Sequence, residues 1–240
     1  MYLSIIIPVF NEARNLRRTV LSFCDYLKRQ NYDYEIIIVN DGSTDETVKI
    51  AKKLQSEFAF IRVIDNKVNK GKGATVRQGL ADGRGKYRLF IDADNATDIS
   101  HIEDAWPLFE QGREIVIASR SFRDHPETRQ EIRQAPWKRL LGFYGNQVIQ
   151  RLTVRDIWDT QCGFKVFSIK ALDIILPKLT INRWAFDVEM LVIAQKYNLK
   201  IGIIPVIWRN SDFSRVGVRG YLSSFKEVLK IKMNLIAGKY

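Results

Sequence analysis

The chain has 240 residues, of which 46% are apolar, which is enough for one α/β domain or for one domain with an elaborated tail. No apolar run reaches the length that spans a bilayer, so we expect no transmembrane segment, and the first residues do not resemble a signal peptide. The only two cysteines, Cys24 and Cys162, exclude a disulfide framework and are typical of small core residues in a reducing cytoplasmic setting.

The net charge of +11 is concentrated in two blocks. Residues 120–155 carry eight Arg/Lys and three Asp/Glu, and residues 205–240 carry seven and two, so each block has a net charge of +5. A basic chain often binds nucleic acid, but here both blocks lie outside the half that carries the acidic motifs. A membrane lipid or a phosphorylated acceptor explains this distribution equally well, and solvated helix faces are a further alternative. We expect no nucleic acid, because a nucleic-acid-binding protein would not explain the acidic residues that follow three of the predicted strands.

The first half of the chain alternates between strands and helices. Helices are predicted from a cap at Asn11 to about Arg29, from a capping box at Ser43–Glu46 to about Glu57, and from Lys70 to near Gly83. Strands are predicted at Leu3–Val9, Glu35–Val39, Phe60–Ile64, Tyr87–Ile91 and Glu114–Ala118. This alternation predicts an α/β fold with a mostly parallel central sheet and helices on both faces.

The second half is less regular. Residues 135–152 form an amphipathic, basic and aromatic stretch that suits either a membrane interface or a core helix with an arginine-rich outer face. Beyond it we predict strands at Phe164–Phe167 and Ile201–Trp208, a helix that begins within Asn182–Met190, and an amphipathic helix over Gly220–Ala237. We divide the chain into a domain of residues 1–210, with halves 1–119 and 120–210, and a basic C-terminal segment of residues 211–240.

Acidic residues follow three of the predicted strands. Asp92 and Asp94 come directly after the fourth strand, Asp41 follows the second, and Glu12 follows the first. Ligands of open α/β sheets collect at the carboxyl ends of the strands, and two carboxylates there can hold a divalent cation against a diphosphate.

The glycine signatures of common nucleotide folds are absent. Gly71 and Gly73 are followed by Val76 where a dinucleotide-binding fingerprint has its third glycine, and no P-loop is present. These glycines and Lys72 can still bring backbone and positive charge to a phosphate, although an ordinary loop-to-helix turn is an equal alternative.

Taken in order, these motifs resemble those of family 2 glycosyltransferases of the GT-A fold, and in particular the dolichyl-phosphate β-glucosyltransferases and their polyprenyl-phosphate relatives. The two motifs nearest the C-terminus, Asp159–Lys165 and Arg183–Glu189, point to glucosyl rather than mannosyl members. The matching stretches are Ile7–Glu12, Val39–Ser43, Asn69–Gly73, Asp92–Asp94, Ala118–Arg120, Asp159–Lys165 and Arg183–Glu189.

The resemblance implies a role for individual residues at the donor site. Asp92 and Asp94 would bind Mg²⁺ or Mn²⁺, with Asp92 near the ribose and diphosphate and Asp94 on the metal that bridges the two phosphates. Mannosyl relatives often have a glutamine as a further metal ligand where this chain has Ala96, so water or another group must complete the coordination shell. The residues expected to bind the nucleotide sugar are Pro8, Phe10, Glu12, Asp41, Lys72, Asp92 and Asp94.

The resemblance also implies residues that act on the acceptor. Arg120 would face the phosphate of the acceptor lipid, and Gln161 and the Trp184–Glu189 segment would shape the sugar and acceptor pocket. Arg215 occupies the place of a basic residue that usually follows a serine. The implied catalytic set is Asp94, Arg120, Gln161, Asp187, Glu189 and Arg215.

The implied reaction is the inverting transfer of glucose from UDP-glucose to dolichyl or polyprenyl phosphate, by a peripheral enzyme on the cytoplasmic side of a membrane. The alternatives are a GDP-mannose-dependent mannosyltransferase and a catalytically inactive nucleotide-binding regulator. A polysaccharide synthase of the family would carry Q-x-x-R-W, where this chain has Thr180 before Arg183 and Trp184. One of the two amphipathic stretches can instead pack on a second subunit of a homo-oligomer.

Overall fold

The computed structural model describes residues 1–130, 145–208 and 218–240. Its strands begin with β1, the apolar run Leu3–Val9, which is buried along almost its whole length because helices cover both faces of the sheet. The other strands are β2 (Tyr34–Asp41), β3 (Ile61–Asn66), β4 (Tyr87–Ile91), β5 (Ile115–Ser119), β6 (Arg129–Gln130), β7 (Phe164–Ser168), β8 (Ile201–Pro205) and β9 (Ile207–Trp208).

Seven of these strands form one sheet in the order β3-β2-β1-β4-β7-β5-β8. The neighbours are parallel except at β7, which runs antiparallel to both β4 and β5. The predicted mostly parallel sheet is therefore confirmed, with one reversed strand in its interior. The remaining two strands, β6 and β9, pair with each other as a separate parallel ribbon.

Helices cover both faces of this sheet, as predicted. The α-helices are α1 (Leu16–Leu27), α2 (Thr47–Glu57), α3 (Lys72–Asp82), α4 (Trp106–Glu110), α5 (Ile169–Ile175), α6 (Phe186–Lys196) and α7 (Val218–Ile236). Apolar side chains of α1, α2 and α4 join one core cluster, and those of α3, α5, α6 and α7 join a second cluster on the opposite face. Both cysteines are buried and free, as expected for core residues.

The predicted caps of the first two helices are wrong. Helix α1 begins at Leu16, whereas Asn11 has a positive φ of 54° and its side chain accepts a hydrogen bond from the Thr44 amide. Ser43 does not cap α2, because its hydroxyl accepts a hydrogen bond from the Asn11 amide. The polar residues that follow β1 and β2 therefore bond to each other, and the helices start later than the local sequence pattern indicates.

Two other predictions need adjustment. The strand predicted at Ile201–Trp208 is divided at Val206, because β8 pairs with β5 as far as Pro205, whereas β9 pairs with β6. Of the amphipathic stretch 135–152, residues 145–152 are helical and residues 135–144 lie outside the described part of the chain.

The C-terminal helix α7 confirms the predicted helix over Gly220–Ala237 and packs on the domain. Val228 and Ile231 on its inner face are buried in the second core cluster, and Asn234 and Tyr240 are buried beside them. The outer face carries Phe225, Leu229, Met233 and Ile236, which are between 39% and 75% exposed. We call these four residues the outer stripe. The helix therefore has one apolar face in the core and another in solvent.

We predict that the two faces of α7 differ sharply in their effect on stability. Ile231→Ala removes a fully buried side chain and should lower the free energy of unfolding by about 2–5 kcal/mol. Met233→Ala, the matched control on the outer stripe, should change it by about 0.5 kcal/mol or less. Urea unfolding of both variants measures the difference, and equal losses would contradict the packing described here.

Candidate active site

The polar rim of the sheet is built where β4 ends and β7 begins. Ile91 pairs with Phe164, and the amide of Asp92 donates a 3.1 Å hydrogen bond to the Gly163 carbonyl. A Cβ atom at residue 163 would lie 2.0 Å from Oδ2 of Asp92, so only glycine admits the carboxylate at this position. Because β7 is reversed, the loop that precedes it lies at the same rim as the carboxyl ends of the parallel strands.

Asp92 is paired with a lysine from the first turn of α3. The Nζ atom of Lys72 lies 2.6 Å from Oδ1 of Asp92 and 5.2 Å from the centre of the Phe90 ring. Burial opposes the charged form of Lys72, but the negative charges of Asp92 and Asp187 raise the pKa of its ammonium above the usual value. The structure thus brings together two residues that the sequence placed at the nucleotide site.

Asp94 lies one residue beyond, on a loop whose backbone is tightly fixed. Its Oδ1 accepts a 3.0 Å hydrogen bond from the Ala96 amide, and Asn95 between them has a positive φ of 56°. The hydroxyl of Thr19 on α1 donates a 2.8 Å hydrogen bond to the Ala93 carbonyl. The loop is thereby tied to both β4 and α1, and the two carboxylates stand at the strand end as predicted.

A second, fully buried ion pair belongs to the same group of charges. Nζ of Lys165, in the middle of β7, lies 2.7 Å from Oδ1 of Asp187 in the first turn of α6, and it also donates to the Cys162 carbonyl at 2.7 Å. Burial raises the pKa of Asp187, and the charges of Lys165 and Lys72 oppose that rise. Asp187 was predicted at the site, but Lys165 was not. The available signal was a lysine inside a predicted apolar strand, since such a charge needs a partner.

Arg120, directly after β5, is held by Asp159 in the loop before β7. Its Nε and Nη2 atoms lie 2.7 and 2.9 Å from the two carboxylate oxygens, and its backbone amide also donates to Asp159. Burial disfavours the charged forms of both side chains, but their pairing outweighs it. The pKa of the Arg120 guanidinium is therefore raised and that of the Asp159 carboxyl is lowered. Asp159 is itself positioned by Asp124, whose carboxylate accepts from the Trp158 and Asp159 amides. No pattern in the sequence singles out Asp124.

Asp41 and the two glycines near α3 have structural contacts. The carboxylate of Asp41 accepts hydrogen bonds from the amides of Lys70 and Gly71 at 2.7 and 3.0 Å. The Gly73 amide donates to the Arg183 carbonyl, and a side chain at residue 73 would clash with Phe186. The amides of Gly71 and Gly73 are therefore bonded within the protein, which favours the alternative of a loop-to-helix turn. The approach of this backbone and of Lys72 to a phosphate stays a prediction.

Glu189 is placed away from the rim. It is fully buried, and its carboxylate accepts hydrogen bonds from the Thr180 amide and hydroxyl, the Ile181 amide and the Tyr240 hydroxyl. Nearby, Oε2 of Glu227 on α7 accepts from the amides of Trp184 and Ala185 at 2.9 Å each, just before α6 begins. These contacts fit a positioning role for Glu189 and reveal one for Glu227, which the sequence analysis missed.

The remaining predicted residues divide by location. Pro8 is the penultimate residue of β1 and pairs with Val39 of β2. Phe10 is exposed at the rim, and the Glu12 amide donates to the Thr47 hydroxyl at the start of α2. Gln161 is exposed in the loop just before β7. Arg215 lies outside the described residues.

The donor set at the rim suits a small hard cation that completes its shell with ligand oxygens. Within residues 1–130, 145–208 and 218–240, no group of three or more His, Cys, Asp or Glu side chains is placed to hold a metal ion. Asp92 and Asp94 are the two carboxylates at the end of β4, and Mg²⁺ is commonly bound by one or two carboxylates together with waters and substrate phosphates. The residues therefore fit a metal that arrives with a diphosphate.

Comparisons with known proteins agree with this geometry. The family model described as Glycosyl transferase family 2 matches residues 4–173. The chain is 35% identical over 251 residues to the "Dolichyl-phosphate beta-glucosyltransferase" of Dictyostelium discoideum, with 99% of this chain and 76% of that protein covered. It is 36% identical over 256 residues to the protein of that name from Homo sapiens, with 99% of this chain and 77% of that protein covered.

The crystal structure of mannosyl-3-phosphoglycerate synthase from Rubrobacter xylanophilus matches with a TM-score of 0.70 at 18% identity, over 100% of this chain and 76% of that chain. At that identity the likeness concerns the fold alone, and the fold is GT-A.

Proposed function

The chain belongs to glycosyltransferase family 2, and on that premise we propose that it transfers glucose from UDP-glucose to dolichyl or polyprenyl phosphate. The observation that carries the proposal is the similarity, over nearly the whole chain, to proteins named dolichyl-phosphate β-glucosyltransferases. The charged groups at the rim support it, because a diphosphate leaving group and a phosphate nucleophile both need cations near them. In-line attack by the acceptor phosphate on α-linked UDP-glucose inverts the anomeric carbon and gives a β-linked product.

We assign the metal position to Asp92 and Asp94, with Mg²⁺ or Mn²⁺ as the cation. When bound, such a cation supplies positive charge to the phosphoryl oxygens of the leaving group. Lys72 lies 2.6 Å from Asp92 and keeps its positive charge, so its ammonium can supply a second charge to the same diphosphate. Lys165 and Asp187, which are at most 5% exposed, form a second ion pair that connects β7 to the first turn of α6.

For the acceptor, we propose that Arg120 binds the lipid phosphate. A phosphate monoester is already ionised near neutral pH, so it needs charge and orientation more than a general base. The pairing with Asp159 aligns one edge of the guanidinium plane and leaves the side chain partly exposed at the rim. Asp159 acts here as a positioning residue for Arg120.

We also propose that α7 meets the membrane surface through its outer stripe. Phe225, Leu229, Met233 and Ile236 recur at helical spacing, and the exposed lysines Lys226 and Lys230 lie beside them. Apolar side chains can enter the interface while lysines attract anionic headgroups, each by about 1 kcal/mol near the surface. Among the helices of the described residues, none is both long and apolar enough to cross a bilayer.

Two alternatives remain distinguishable by experiment. A GDP-mannose-dependent mannosyltransferase would share the fold and the aspartates, and an inactive regulator would share the nucleotide site. The names of the relatives favour glucose, whereas the base and the sugar of the donor must be measured directly.

The first test is transfer of radiolabelled sugar to a polyprenyl phosphate, with UDP-glucose and GDP-mannose offered separately. We expect label from UDP-glucose in the lipid fraction, and loss of that label in EDTA.

Asp94→Asn should lower the rate of transfer by at least about a hundredfold, because a charged ligand beside the leaving group is lost. Asp104→Asn, which changes an exposed carboxylate at the end of the 3₁₀ helix Ile99–Asp104, is the matched control and should retain activity. Label from GDP-mannose alone would assign a mannosyltransferase, and full activity in EDTA would reject the metal.

The role of Arg120 calls for paired variants. Arg120→Ala alone leaves the buried Asp159 carboxylate without its ion-pair partner, which should lower the free energy of unfolding by about 3–5 kcal/mol. The loss of stability would then affect the measured rates as well. Asp159→Asn and the double variant Arg120→Ala/Asp159→Asn should therefore be compared with each other. KM for polyprenyl phosphate should be about tenfold or more higher in the double variant than in Asp159→Asn, because a charge-assisted contact is lost. KM for UDP-glucose should change little between the two. Equal rises would place Arg120 at the donor instead.

Membrane binding is tested by flotation with liposomes. Deleting residues 221–240 is a poor probe, because Glu227, Ile231 and Tyr240 belong to the folded core. The double variant Met233→Glu/Ile236→Glu changes only the outer stripe and should abolish flotation with anionic vesicles while leaving UDP binding unchanged. The wild type should float less at high salt, since surface charge is screened. Absence of flotation at every salt concentration would favour a subunit interface for the stripe.

A further inference from the structure

The ion pair between Lys72 and Asp92 occupies a carboxylate that the proposed function assigns to the metal. The Nζ atom lies 2.6 Å from Oδ1, well within the range of a direct charge-assisted hydrogen bond. The two side chains are 29% and 34% exposed, so solutes can reach the pair from solvent. A divalent cation and an ammonium compete for this oxygen, because their charges repel each other.

The backbone at Lys72 is fixed, so that any movement must come from its side chain. Asp41 holds the amides of Lys70 and Gly71, and the amides of Gly73 and Ala74 donate to carbonyls of the 182–183 segment. The lysine side chain has four methylene groups between this fixed backbone and its ammonium. It can therefore change partner without any change in the fold.

The charges around Lys72 favour a cation at this position at all times. The Lys72 ammonium lies 2.6 Å from Asp92 and within electrostatic range of Asp187 and Asp94, and Lys165 is paired with Asp187 on the buried side. If the Lys72 ammonium moved away and no other cation replaced it, Asp92 would lose its positive partner while it still lay near the carboxylates of Asp94 and Asp187. Departure of Lys72 is thus coupled to arrival of another cation.

We propose that Lys72 holds the cation position of Asp92 in the nucleotide-free protein and gives it up when a divalent cation and a diphosphate bind together. This inference rests on the metal assignment under the proposed function. In the nucleotide-free protein the metal must displace Lys72, and the lysine gains no new partner. When a nucleoside diphosphate is present, Lys72 moves from the carboxylate to a phosphate oxygen. The exchange makes the site selective for the complex of metal and nucleotide over the metal alone.

The quantitative consequence concerns the affinity for metal alone. A ligand that binds only the fraction of molecules with a free Asp92 has its affinity lowered by that fraction. Removing the lysine removes this competition. By linkage, the diphosphate strengthens metal binding by the same factor by which the metal strengthens diphosphate binding.

The experiment is a titration of Mn²⁺ alone, with the free ion measured by electron paramagnetic resonance. Lys72→Met should bind Mn²⁺ about tenfold more tightly than the wild type, because Asp92 is no longer occupied. Lys70→Met, two residues away and exposed, removes the same charge without touching Asp92 and should bind like the wild type. Asp92→Asn should reverse the gain when combined with Lys72→Met. Thermal unfolding establishes that each variant is folded.

A second titration in the presence of UDP separates this inference from the proposed function. UDP should raise the Mn²⁺ affinity of the wild type by a larger factor than that of Lys72→Met. Equal or weaker binding of Mn²⁺ alone by folded Lys72→Met would overturn the exchange, even if UDP-glucose transfer requires metal. Failure of every variant to bind Mn²⁺ with or without UDP would overturn the metal assignment and the exchange together, whereas glucose transfer would still be judged by the labelled product.

Discussion

The buried ion pair between Lys165 and Asp187 is the constraint on which the rest of the site depends. Both side chains are at most 5% exposed, and their charged atoms lie 2.7 Å apart. Removing either partner would leave an isolated charge in the core, which costs far more than a surface ion pair contributes. The pair connects the reversed strand β7 to the first turn of α6, and Asp92 packs on Gly163 at the start of the same strand. The position of the exposed charges therefore follows from that of the buried ones.

Close backbone approach completes this arrangement. Gly73 lets the first turn of α3 contact Phe186 and the 181–182 backbone, and Gly163 leaves room for the Asp92 carboxylate. These are contacts between segments far apart in the chain, and a single Cβ atom would separate them. Lys72 is brought to Asp92 in this way, because the start of α3 is held by Asp41 on one side and by the 182–183 carbonyls on the other.

The sequence predicts the sheet well, because the apolar strands Leu3–Val9 and Tyr87–Ile91 need no tertiary information to be recognised. It also predicts the two aspartates after β4, since strand order and position identify that rim. The caps that it predicts at Asn11 and Ser43 are wrong, because the Ser43 hydroxyl accepts from the Asn11 amide and the Asn11 side chain accepts from the Thr44 amide, 32 and 33 residues apart in the chain. The roles of Asp124 and Glu227 were not predicted for the same reason. Each carboxylate bonds to amides more than thirty residues away, and no local sequence pattern indicates such a contact.

The C-terminal helix connects the interior of the site to the outer surface of the protein. Glu227 on α7 accepts from the amides just before α6, so it helps to fix the helix that carries Asp187. On the opposite side of the same helix, the outer stripe stands in solvent beside lysines. A lipid acceptor is confined to a surface, and an enzyme that acts on its headgroup must hold its active site at a defined height above that surface. With the membrane contact that we propose for the outer stripe, a helix bonded to the site through its other face would set that height without a flexible linker. Under the proposed function, the buried charges, the glycines and the amphipathic helix would thus meet one requirement, which is a fixed geometry between a soluble donor and a membrane-bound acceptor.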